Sequence, residues 1–298
     1  MSRKLILIAL TGSLVCWGIL AVLYVNRPIL PATAVAISIA PLHVPSKAAT
    51  KTVYVRAARR APTVETYTIP ADLRGSVFFQ GSTSLPEVAL TFDDGPNAVY
   101  TPQILSILEQ YGVKATFFCI GEQVPANTRI VQQVYNDGDI IASHTWSHPN
   151  LTTLSATSIQ AQLHLTSDAI ENAIGVHPTL FRPPYGAYNN FVQGQVAQTG
   201  LATVMWNVDT RDWTRPGVYS IVNTALATVR NGSIILMHDG GGNRSETVEA
   251  LPIIIRALHQ RGFKLVTMIR LIIDTHKLDA MKSINSPLVA TTGYQAEA

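Results

Sequence analysis

Val88-Ala89-Leu90-Thr91-Phe92-Asp93-Asp94-Gly95-Pro96 is a short apolar run that ends in two acids and a turn pair. A run of that length bounded by turn residues reads as a buried strand. The same grammar repeats downstream. Strands are predicted at 87–92, 115–120, 139–143, 179–182, 202–208, 233–237 and 264–267. Helices are predicted near 101–111, 122–136, 155–174, 189–199, 217–230 and 246–261. Thr101-Pro102 suits a helix start, with Thr as cap and Pro in the first turn. Gly112 and Gly262 suit helix ends. Pro252 predicts a kink in the last helix. Alternating strands and helices imply a parallel sheet. The fold class is therefore α/β, a distorted and incomplete (β/α) barrel of about seven parallel strands.

Outside this region the character changes. Residues 5–25 form 21 residues without a charge. A helix of about 20 apolar residues spans a bilayer core. Arg3 and Lys4 precede it, which puts the N-terminus on the cytoplasmic side. The expectation is an N-terminal transmembrane helix over 1–26 that leaves the remainder extracytoplasmic. A cleaved signal segment, with Ala34-Val35-Ala36 as the cleavage site, is the competing reading and gives a secreted chain. Residues 27–85 are rich in Pro, Ala, Thr and Val without periodicity and read as a linker. The barrel is expected over 86–275, with a loose tail over 276–298.

The 298 residues are 47% hydrophobic and 14% charged, a low charged fraction that fits an apolar segment at one end. The net charge of +3 hides an asymmetry. Residues 1–85 carry nine Lys/Arg against two acids, and the remainder carries 13 against 17. The basicity belongs to the N-terminal segment, so the folded part has no footprint for nucleic acid. Lys51, Arg56, Arg59 and Arg60 read as solvated charges of the linker. Cys16 and Cys119 fall in unrelated apolar runs and are not expected to bridge.

The polar clusters share one placement: each follows a predicted strand. Asp93 and Asp94 follow the first, His144 the third, Arg182 ends the fourth, Asp209 and Asp212 follow the fifth, and His238 and Asp239 the sixth. In a parallel α/β barrel these ends share the face where sites are built. His144 and His148 are four apart, so one turn can aim both imidazoles at one point. Catalytic zinc commonly takes two His and one carboxylate, leaving a position open. Asp93 or Asp94 can supply the carboxylate, and the other is then free as general base. His238 is the candidate acid, with Asp212 the carboxylate that keeps it charged. Arg182 is placed to orient Asp93.

Five stretches together carry a resemblance. They are Thr91-Phe92-Asp93-Asp94-Gly95-Pro96, His144-Thr145-Trp146-Ser147-His148, Arg182-Pro183-Pro184-Tyr185-Gly186, Asp209-Thr210-Arg211-Asp212-Trp213 and Leu236-Met237-His238-Asp239. In type and order they resemble the NodB-homology polysaccharide deacetylases, carbohydrate esterase family 4, over about residues 86–270. The resemblance implies a distorted barrel and a divalent metal, usually zinc, with cobalt, manganese or nickel as substitutes. It implies Asp93 as base, Asp94, His144 and His148 as ligands, and Arg182 as the residue that positions the base. It implies the Tyr185 backbone N–H as oxyanion donor, His238 as acid with Asp212 tuning it, and Trp213 and Leu236 as walls around the acetyl methyl. The expected partner is an N-acetylhexosamine polysaccharide, peptidoglycan or chitin-like.

Three other readings are weighed beside it. One keeps the chemistry and changes the glycan, to acetylated xylan for example. Another is a non-catalytic wall-binding protein, against which the complete ligand set argues. A glycosidase is the third. Adjacent Asp93 and Asp94 are badly placed to flank a bond from two sides, and that reading leaves the His pair without a purpose.

Overall fold

The computed structural model describes residues 67–285. Nine strands lie among them: β1 Val77–Phe78, β2 Glu87–Gly95, β3 Thr116–Cys119, β4 Ile140–Ser143, β5 Leu180–Phe181, β6 Ala202–Val204, β7 Val208–Asp209, β8 Ser233–His238 and β9 Lys264–Val266. The helices are α1 Tyr100–Tyr111, α2 Thr128–Asp137, α3 Ala156–Ile174, α4 Asn190–Gln198, α5 Val218–Ala227, α6 Ser245–Gln260 and α7 Met268–Asn285. The sheet order is β1-β6-β5-β4-β3-β2-β8-β7, with β9 also paired to β2, and all pairings are parallel. The sheet curls into a half-barrel.

Side-chain alternation divides the core. Val88, Leu90 and Phe92 of β2 join Ile104 and Leu108 of α1 and Ile254 and Ile255 of α6 in one cluster. Ala89, between them, joins Phe118, Ala142, Leu180, Val204 and Ile234 in another, which α7 fills with Met268, Ile269, Leu271 and Ile272. Counting by two along this second face leads from Ala89 to Asp93, from Ile140 to His144, from Leu180 to Arg182 and from Ile234 to His238. The strand period thus delivers four functional side chains to the concave face at one end of the barrel.

The structure corrects several expectations. Residues 67–85 belong to the fold instead of a linker: Tyr67 and Ile69 are buried, and β1 pairs with β6. The predicted strand 202–208 divides into β6 and β7, because the carbonyls of Val204 and Met205 accept from the Arg182 guanidinium. The segment beyond 275 continues α7 to Asn285, held by its apolar residues inside the barrel and by an Arg270–Asp274 pair. Thr101 does not cap α1. Asn97 Oδ1 accepts from the N–H groups of Val99 and Tyr100, while Thr101 turns its hydroxyl to Asp239. The predicted helix 122–136 opens with two short 3-10 turns before α2 starts at Thr128. Pro252 lies inside α6, where the sequence places it. Cys119 is free and buried, as expected. No helix among the described residues is long and apolar enough to cross a membrane. The expected anchor at 5–25, Cys16, and the cleavage site lie outside those residues.

Candidate active site

His144, His148 and Asp94 converge. Asp94 Oδ1 lies 3.5 Å from His144 Nε2 and 3.3 Å from His148 Nε2. One ligand atom from each residue falls within 4.8 Å of the others. His144 Nδ1 lies 2.8 Å from the Arg182 carbonyl. A carbonyl can only accept, so Nδ1 carries the proton and Nε2 presents its lone pair, which leaves that nitrogen free to ligate a metal. Asp94 Oδ1 is buried and has no hydrogen-bond partner. Buried carboxylate oxygens without a partner are costly, and a cation between the three groups supplies the missing contact. The donor set therefore fits a divalent metal such as zinc.

Electrostatics agree with that fit. Burial works to raise the Asp94 carboxyl, but the imidazoles of His144, His238 and His148 outweigh it and hold the group well below the carboxylate range. Burial and the neighbouring His144 pull His148 below its ordinary value, against the opposing pull of Asp94 and Asp93. An ionised carboxylate beside a neutral imidazole is the protonation state ligation needs. Asp94 and His148 also hold left-handed backbone angles, with φ of 71° and 60°. Such strain in non-glycine residues is concentrated at functional sites.

Asp93 stands beside this cluster with its two oxygens in different settings. Oδ1 accepts from Arg182 Nη1 at 2.7 Å, and Oδ2 lies 3.8 Å from His144 Nε2. Arg182 is fully buried and spends three more donors on Thr91 Oγ1 and on the carbonyls of Val204 and Met205. Its guanidinium carbon sits 4.1 Å from the Phe118 ring centre. Burial draws the Arg182 pKa down and Asp93 opposes it.

His238 is held by Asp212. Nδ1 lies 2.8 Å from Asp212 Oδ1, and the His238 N–H donates to Oδ2, which also receives the Thr247 hydroxyl. Burial favours neutral His238, but the hydrogen bond and charge of Asp212, then Asp93 and Asp94, raise its pKa. Asp212 is correspondingly lowered, burial being outweighed by His238 and Thr247.

These groups open into a cavity of about 440 Å³ that also takes in Tyr185, Trp206, Asp209, Trp213, Leu236, Gly241 and Arg244. Tyr185 adopts a φ of 61° and sets its ring against His148, 4.6 Å between centres. Of the ten site residues expected from sequence, eight line this cavity; Arg182 and Asp212 stand behind it, bonded to Asp93 and His238.

Sequence reading placed Asp239 at a strand end but gave it no role; it is part of the support beneath. Asp239 is fully buried, accepts from Thr101, and has its other oxygen without a partner. Burial, opposed by Thr101 and assisted by Asp94 and Asp93, lifts its pKa to about 7. The Asp239 and Gly240 N–H groups both donate to the Asp93 carbonyl and stitch the β8 end to the β2 end. A Cβ at Gly240 would stand 1.8 Å from the Asp94 carbonyl oxygen, and one at Gly95 would stand 2.1 Å from Asp239 Oδ2. The run Gly240-Gly241-Gly242 was the signal for this close approach. It forms a tight loop, strapped by Arg244 to the carbonyls of Gly240, Gly241 and Asn243.

A half-barrel whose concave strand ends gather two imidazoles and a carboxylate, beside an arginine-held carboxylate and an aspartate-held imidazole, has the make-up of a metal-dependent hydrolase. The polysaccharide deacetylase family matches residues 80–204. A chitooligosaccharide deacetylase of Sinorhizobium fredii (strain NBRC 101917 / NGR234) is 40% identical over 195 residues, which is 62% of this chain and 91% of that protein. A peptidoglycan-N-acetylglucosamine deacetylase of Bacillus cereus (strain ATCC 14579) is also 40% identical, over 63% of this chain and 89% of its own length. The crystal structure of the Bc1960 peptidoglycan N-acetylglucosamine deacetylase superposes with a TM-score of 0.65 at 36% identity, covering 67% of this chain and 94% of that one. This chain belongs to the polysaccharide deacetylase family.

Proposed function

We propose that this chain hydrolyses N-acetyl groups on an N-acetylhexosamine polysaccharide, peptidoglycan or a chitin-like chain, and releases acetate. The observation that carries the reading is one arrangement: an arginine-held Asp93 and an aspartate-held His238 share the cavity with the Asp94-His144-His148 cluster. A divalent cation held by those three residues supplies Lewis acidity for an acyl carbonyl and for water. Asp93 takes the proton of the attacking water at Oδ2, since Oδ1 is occupied by Arg182. The Tyr185 backbone N–H donates to the oxyanion as it develops. Trp213 and Leu236 enclose the acetyl methyl. His238, with Nδ1 committed to Asp212, gives the Nε2 proton to the leaving nitrogen. The C–N bond breaks, a C–O bond forms, and acetate and a free amine result. Zinc is the first choice of metal, with cobalt, manganese and nickel as alternatives.

The test is acetate release from chitin oligomers, peptidoglycan and acetylxylan by one preparation, stripped with a chelator and then resupplied with zinc. The expected outcome is release from an N-acetylated glycan that is lost on stripping and restored by zinc. Asp93→Asn should lower kcat by about 10²–10⁴-fold. Turnover indifferent to the chelator, full activity in Asp93→Asn, or release from acetylxylan alone would overturn the reading.

We further infer that residues 5–25 anchor the chain and that the catalytic domain works outside the cytoplasm. Their length without a charge and the preceding Arg3 and Lys4 support this.

A further inference from the structure

We propose that Arg244 is an anion subsite of the cleft, which takes a free carboxylate carried on the sugar chain next to the acetamide. The inference rests on the deacetylase reading above and adds to it a preference between glycans.

Arg244 lines the cavity, yet only 4% of its surface is exposed. Its Nε donates to the Gly240 carbonyl at 2.6 Å, Nη1 to that of Asn243 at 3.2 Å, and Nη2 to that of Gly241 at 2.8 Å. All three acceptors are neutral. No carboxylate forms an ion pair with it among the described residues. A guanidinium has five N–H donors, so these bonds leave two of them uncommitted. Arg182, the other deeply buried arginine, shows the usual arrangement, with its charge met by Asp93. A buried charge with no carboxylate in direct contact is costly, and one that faces a cavity can be offset by an anion that arrives.

The cation is also fixed in place. Besides the Arg244 strap, Asn243 Oδ1 accepts from the Tyr100 hydroxyl and the Ser245 N–H. Gly241 and Gly242 take φ of 69° and 134°, angles that side-chained residues rarely adopt. A Cβ at Gly241 would stand 2.5 Å from Asp94 Oδ2 and 3.2 Å from Arg244 Nη2. The guanidinium therefore stands across one glycine from the proposed metal ligand. A preorganised arginine fork loses little entropy on capture and matches a carboxylate in shape.

An unmodified N-acetylglucosamine chain has no charge to offer this group. A lactyl-ether sugar, the muramyl residue of peptidoglycan, offers a carboxylate once its peptide is absent. The geometry points to glycan with that acid free as the favoured substrate.

The experiment compares kcat and KM on three oligosaccharides of equal length: chitooligosaccharide, a peptide-free muramyl-containing chain, and the same chain with its lactyl acids converted to amides. Wild type should prefer the free acid over the amide by about tenfold, through KM, as a charged hydrogen bond implies. Added salt should shrink that preference. Arg244→Gln should abolish it and Arg244→Lys keep part of it. Equal handling of acid and amide by wild type overturns the proposal. So does an equal loss on all three substrates in both variants, which marks Arg244 as a loop brace only. If wild type releases acetate from none of them, the deacetylase reading fails by itself. Calorimetric binding of the free-acid chain then decides the subsite: weaker binding to Arg244→Gln supports it, and equal binding overturns it.

Discussion

In the proposed mechanism, Asp212 decides the pH range over which His238 can donate a proton. It accepts from Nδ1, and its charge outweighs the burial that would otherwise favour the neutral ring. The sign follows. A raised pKa keeps the imidazolium present to higher pH, and turnover that needs it falls as pH rises through that value. Removing the charge in Asp212→Asn, which keeps much of the shape, should move the alkaline limb of kcat to lower pH and depress the plateau. An alkaline limb that stays in place in the variant would mean that another group sets it. Residues such as Asp93, His144 and His238 were legible in the sequence because each ends an apolar run. The roles of Asp239 and Arg244 were not, since they arise where the β8 loop crosses the β2 end, and no local pattern records that crossing. Thr101 was misread for the same reason: a hydroxyl at a helix start caps by default, and a buried carboxyl from a distant strand claimed it.

Among the elements, α7 carries the largest surprise. Met268, Ile269, Leu271 and Ile272 are buried against the concave face of the sheet, beside Ala89, Phe118, Leu180 and Ile234. Interiors are close-packed, and a truncated side chain leaves a cavity that the surroundings fill only in part. Leu271→Ala should lower the unfolding free energy by about 2–5 kcal/mol, read as a shift in the midpoint of urea denaturation with an unchanged slope. A change within error would mean that α7 is a peripheral attachment. Its four apolar residues fall within one turn and a half, too short a stretch to announce a packed helix in the sequence. The strands were easier, since their buried runs are continuous. β6 and β7 merged in that reading because the break between them is made by a side chain from β5.

For the whole molecule, the fold class followed from repetition: strand, polar end and helix recur too often for another architecture. The N-terminal side of the domain divides differently from the sequence reading, since Tyr67 and Ile69 are already packed in its core. The anchor inference is tested by fractionating cells that express the full chain. The protein is expected in the membrane pellet after a high-salt wash and is expected to be accessible to protease added outside. Recovery of a shortened, soluble form from the medium would favour cleavage after Ala36. Full-length protein in the soluble lysate would sink both export readings.

Arg182 acts as the keystone of an arch. One guanidinium from the end of β5 ties Thr91 and Asp93 of β2 to the carbonyls of Val204 and Met205 at the end of β6. The group that holds Asp93, the proposed base, therefore also holds the curve of the sheet in which Asp93 sits. Architecture and chemistry share a single atom cluster here, and neither can drift alone. A lysine would keep the charge and abandon most of the span. An apolar residue would fill the vault and release Asp93. Descent with altered activity from this scaffold has to begin at other stones, in the loops around the rim.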